Sequence, residues 1–70
     1  MKNELKNLFV EICDELATKT EEKGTYFEAL KRECLEYPCF PVLPNLCDLL
    51  ENYYDLVGKE KIIRVLKIFI

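Results

Sequence analysis

Four cysteines have the widest chemical scope in this 70-residue chain. Cys13, Cys34, Cys39 and Cys47 have 20, 4 and 7 residues between them. The four-residue gap between Cys34 and Cys39 falls in the range of a zinc-binding pair, but no second close pair and no histidine completes the set. Cys13 and Cys34 recur on apolar helical stripes, where a thiol packs as a small hydrophobe. Cys39 lies in a proline-rich stretch and Cys47 near the expected start of a helix, where the dipole favours a thiolate. These two are the candidate redox pair. A cysteine-based metal or redox site is therefore one alternative function, although intracellular disulfides are rare.

Carboxylates form two groups. Asp48, Glu51 and Asp55 follow an i, i+3, i+7 spacing that gathers them on one helical face, and Glu11, Asp14 and Glu15 cluster in the same way. Acid–base catalysis needs two carboxyls in differently tuned, partly buried surroundings. Both groups fall away from the apolar stripes, so they read as solvated faces, with Asp48, Glu51 and Asp55 as an acidic docking surface for a partner. The chain has no His, Ser, Gln or Trp. A Ser–His or Cys–His nucleophile pair within one chain is excluded, and so is a histidine metal site or pH switch. The expectation is a non-enzyme with no cofactor.

The elements that carry these residues are read from periodicity. Leu5, Leu8, Phe9, Ile12, Cys13, Leu16 and Ala17 mark one face of a first helix, closed by Gly24 as a C-terminal glycine. Thr25 and Glu28 have the spacing of a capping box opening a second helix, with Tyr26, Phe27, Leu30, Cys34 and Tyr37 as its stripe and Pro38 as its stop. Three prolines between Pro38 and Pro44 predict an extended loop whose Phe40, Val42 and Leu43 lie across the helices. Asn45 then reads as the N-cap of a third helix with Asp48 at its N3 position, and Leu46, Leu49, Leu50, Tyr53, Leu56 and Val57 form the third stripe. After Gly58 the segment from Lys59 onward is β-branched enough to suit a strand, but no partner strand is evident, so it is read as a fourth helix. The expected fold is all-α: a single domain over residues 1–70, a compact antiparallel bundle of about four short helices with a proline-rich loop between the second and third.

Half the residues are apolar and a third are charged, the composition of a globular chain, with a net charge of −3. No stretch is long and apolar enough for a membrane span, and the start runs into an amphipathic pattern instead of a signal peptide, so a cytoplasmic location is expected. The charge is uneven: residues 37–58 hold three acids and no base, whereas Lys59, Lys61, Arg64 and Lys67 crowd the last segment against Glu60 alone. That concentration, with a helix–glycine–helix arrangement over residues 46–70, gives a second alternative, a transcriptional regulator with a helix-turn-helix-like DNA contact. The acidic remainder and the lack of Gln, Ser and Asn on the last helix argue against nucleic acid.

Seven of the nine residues from Ile62 to Ile70 are apolar. A helix apolar nearly all round must be buried on nearly all sides, and three other short helices cannot supply that cover. The surplus predicts an interface built on Tyr54, Ile63, Phe69 and Ile70. The reading that follows is a small acidic protein-interaction module, a regulator or inhibitor that binds a partner protein of unknown identity or forms a homodimer.

Overall fold

The computed structural model of the chain describes residues 2–69 and, within them, the side chains of residues 4–68. Four helices and one short 3-10 turn account for nearly all of it: α1 (Lys2–Lys19), the 3-10 turn Glu21–Lys23, α2 (Gly24–Glu36), α3 (Val42–Tyr53) and α4 (Lys59–Phe69). No strand occurs among the described residues. The all-α bundle expected from periodicity is what forms, and the last segment is helix.

α1 is the hub: α2, α3 and α4 each pack on it. Leu8, Phe9, Ile12, Cys13 and Leu16 of α1 are each at most 1% exposed, so its stripe is the centre of the core. Phe27 and Cys34 from α2, Leu46 and Leu49 from α3, then Val57 and Val65 close around it. The Cα envelope measures 33 × 28 × 15 Å. Helices pack about 8–10 Å apart, so the short dimension is two helix layers and the molecule is a flattened slab.

Three helix ends differ from their sequence signatures. Gly24 does not terminate α1 in a left-handed conformation; it has φ −55° and ψ −42° and opens α2. α1 ends one turn earlier at Thr20 (φ −125°, ψ 79°), whose hydroxyl donates back to the Leu16 carbonyl at 2.6 Å, and the 3-10 turn reverses the chain. The Thr25–Glu28 capping box does not form either, because α2 starts before Thr25 and its cap position, Lys23, makes no side-chain cap bond. At the other end Pro38 acts as expected: Tyr37 before it is extended (φ −104°, ψ 117°) and α2 stops at Glu36.

The proline-rich connection is shorter than Pro38–Pro44. α3 begins at Val42 with Pro41 at its cap position, so Pro44 lies inside the first turn and Asn45 and Asp48 lie beyond it. The first amides of a helix have no intrahelical partner. Pro41 and Pro44 occupy two of those four positions and carry no N–H, which halves the number of donors needing a cap. Asn45 serves the same turn from the other side, its Nδ2 donating to the Pro41 carbonyl at 2.8 Å. Phe40 and Val42 of the connection pack on the core, Phe40 with its ring 5.6 Å from that of Phe9, while Leu43 turns outward.

The two glycines have different uses. A Cβ at Gly24 would meet only the Ala17 carbonyl oxygen at 3.6 Å, an ordinary contact. Gly24→Ala is expected to stabilise the fold by about 0.4–1 kcal/mol, through a less flexible unfolded chain, and to raise Tm by a few degrees in a thermal melt. A Cβ at Gly58 would press on Glu15 Oε2 at 3.4 Å, and that carboxylate is part of the site described next.

Candidate functional site

The outer faces of α3 and α4 hold most of the candidate residues. Along α4 the side chains alternate between two apolar surfaces. Val65 is 7% exposed and, with the half-buried Ile62 and Ile68, faces α1. Ile63 and Leu66 are 51% and 54% exposed and lie round the helix from Val65, away from that contact. At 3.6 residues per turn, Lys59, Ile63 and Leu66 fall on one line along the helix. Ile63, one of the interface candidates named from the sequence, is thus exposed, and so is Leu66, absent from the sequence-derived set. Of Phe69 only the backbone is described, and Ile70 lies outside the described residues.

α3 has a matching double character. Leu46 and Leu49 are buried, whereas Leu43, Cys47 and Tyr54 are exposed along one line, with the half-buried Leu50 between them. Tyr54 stays helical (φ −49°, ψ −44°) and is 62% exposed. Asp48, Glu51 and Asp55 are exposed beside that line, and none of them is in an ion pair among the described residues. Asp48 and Glu51 share that side of α3, Asp55 lies in the turn after it, and all three carboxylates are exposed.

The carboxylates of α1 are not simply solvated, and this was invisible in the sequence. Asp14 takes Lys31 of α2 at 2.8 Å. Glu11 takes both guanidinium nitrogens of Arg64 on α4, at 2.8 and 2.9 Å. Glu15 Oε1 accepts the Gly58 N–H at 3.0 Å, and its other oxygen lies 3.5 Å from Lys61 and 3.6 Å from Lys19. Lys19 in turn donates to the Leu56 carbonyl at 2.8 Å. One turn of α1 thus grips the α3–α4 turn on both sides, an anion at the N-terminus of α4 and a cation at a carbonyl past the end of α3, as the helix dipoles require. Lys61 and Arg64, half of the basic set a DNA-facing helix would present, point to α1.

The hydrogen bond from Gly58 and the charges of Lys61 and Lys19 hold the Glu15 carboxyl below the usual carboxylate range, against a smaller opposing effect of burial. The bond from Arg64 does the same for Glu11. A depressed folded pKa means that each contribution is complete above the unfolded carboxylate value of about 4.3 and is lost as pH falls through the lower folded value. Stability to urea is expected to hold from pH 7 to about pH 5 and to fall below it, with a shallower fall in Glu15→Gln. Equal slopes in both proteins would remove Glu15 from this role.

All four cysteines are free thiols. Cys13 and Cys34 are buried, and burial pushes the Cys13 thiol up to about 12, with Cys34 also raised by burial. Cys39 and Cys47 are exposed. A thiol reagent at neutral pH is expected to label Cys39 and Cys47 rapidly and the other two only in denaturant. Fast labelling of Cys13 in the folded protein would contradict its burial.

An open groove of about 830 Å³ runs between α1 and α2, lined by Ala17, Gly24, Glu28, Lys31 and Leu35 among others. Its lining carries charges of both signs, and no buried side-chain polar atom among the described residues is left without a partner. No cluster of three or more potential metal ligands occurs among the described residues, and no described helix is long and apolar enough to cross a membrane. No protein-family model, no curated protein and no solved structure matches the chain, so the meaning of these surfaces rests on their own geometry.

Proposed function

We propose that the chain is a protein-interaction module, a small regulator or inhibitor that works by covering the surface of another polypeptide. The observation that carries this reading is the second apolar line of α4. Ile63 and Leu66 are half exposed, about 160° and 100° round the helix from Val65, and lie outside the core cluster that Val65 joins. A helix on the surface of a small globule needs one apolar stripe to stay folded. A second stripe, flanked by charge, is the pattern of a surface that spends its working time covered. Tyr54 adds an exposed aromatic with its hydroxyl free to bond at a rim.

The test is site-specific photo-crosslinking in the cell that makes the protein. A photoreactive residue at position 66 is expected to give a discrete covalent adduct, whereas the same residue at Glu33, on the exposed polar side of α2, is not. A position 66 that yields no adduct, or the same diffuse labelling as position 33, would sink the proposal.

A further inference from the structure

Resting on that reading, we infer that the partner is a second copy of this chain, with the outer face of α3 from one copy docked along the outer face of α4 from the other. The two faces match in size and character. α3 has 12 residues and α4 has 11, so at 1.5 Å per residue both are about 16–18 Å long. Each presents a narrow exposed apolar line, Leu43, Cys47 and Tyr54 on α3, Ile63 and Leu66 on α4.

Charge decides the pairing. The α3 line is bordered by Asp48, Glu51 and Asp55, with no base between residues 37 and 58. The α4 line begins at Lys59 and is bordered by Lys67, both exposed and neither in an ion pair among the described residues. Lys61 and Arg64 are committed to α1, and the one acid of α4, Glu60, acts on Arg64. Pairing α4 with α4 would set lysine against lysine, and pairing α3 with α3 would set three acids against three. Only α3 against α4 brings opposite charges together over an apolar strip, and like charges held face to face cost affinity. Each copy carries both faces, so a two-fold pair makes the contact twice. A standard interface buries about 800 Å² per partner, roughly a sixth of the 5136 Å² surface of this chain, which two helical faces can supply.

The experiment is light scattering coupled to size exclusion in reductant, from about 10 µM to about 1 mM chain. The wild type is expected to pass from 8.3 kDa to twice that mass, with tighter association at low salt. Two charge-reversed proteins, K59E/K67E and E51K/D55K, are each expected to weaken the dimer by about tenfold or more, with helical circular dichroism unchanged. Mixed in equal amounts they should pair with each other, because both contacts in the mixed dimer are again complementary. A wild type that stays monomeric throughout would overturn the self-docking, and so would reversed proteins that dimerise as well as wild type or fail to rescue one another. Such a monomer, combined with a discrete adduct at position 66 in the cell, would leave the interaction reading intact and assign the face to a different protein. The absence of both would remove both.

Discussion

Phe9→Ala is expected to lose roughly 3–5 kcal/mol of stability. Phe9 is fully buried at the middle of the hub helix, and its ring packs on Phe40 from the α2–α3 connection. Truncation removes apolar contact from both and leaves a cavity that α1, held by three neighbours, cannot collapse to fill. At about 0.05–0.15 kcal/mol per residue, a chain of this length has about 4–10 kcal/mol in total, so the variant loses roughly a third or more of its stability. Urea titration followed by helical circular dichroism reads this directly. A loss under about 1 kcal/mol would mean that the core is not centred on Phe9.

Glu15→Ala is expected to act locally. It leaves the Gly58 N–H without its acceptor and removes the anion between Lys19 and Lys61. A hydrogen bond to a charged group contributes about 1.5–3 kcal/mol, and loss of this one should fall in that range. α4 is the helix that feels it. Its buried contribution to the core cluster is Val65, with Ile62 and Ile68 packed at the edge, and its other ties are the contacts from Glu11 and Glu15. Amide hydrogen exchange should therefore accelerate across α4 while α1 and α2 keep their protection. Glu15→Gln, which retains an acceptor, should fall between the two. Uniform acceleration over the whole chain would show instead that α4 and the rest open together.

The parts of the fold that were legible in the sequence are those fixed by local period. The α1 stripe from Leu5 to Ala17 repeats over nearly four turns, so Leu8, Ile12 and Leu16 could face only inward, and Phe27, Cys34, Leu46 and Leu49 follow the same logic. The helix starts were misread because cap signatures describe one way of satisfying terminal amides. At α3 the prolines remove the donors themselves, and at α2 the 3-10 turn delivers the chain already coiled. The grip of α1 on the α3–α4 turn had no local signature at all. Its bonds join residues 43 and 53 positions apart, and nothing in the spacing of Glu11 and Glu15 distinguishes them from a wetted face. Leu66 was missed for a related reason: on a helix apolar nearly all round, the neighbour decides which side is the outside, and that neighbour is α1.

α1 touches every other helix, whereas α4 is held to it through Val65, Ile62 and Ile68 and the contacts of Glu11 and Glu15, so α4 is the helix whose release costs least. With α4 released, α1 and α2 can stay paired as a hairpin, since their contacts are near neighbours in sequence. The flank of α1 around Leu8 and Glu11, which Arg64 and Ile68 otherwise border, then has no occupant from its own chain. At high chain concentration that vacant flank is open to the α4 of a neighbouring copy. α4 is thus the helix most exposed to exchange between chains, and holding concentrated protein near its unfolding midpoint should raise the yield of swapped dimers over that of closed monomers.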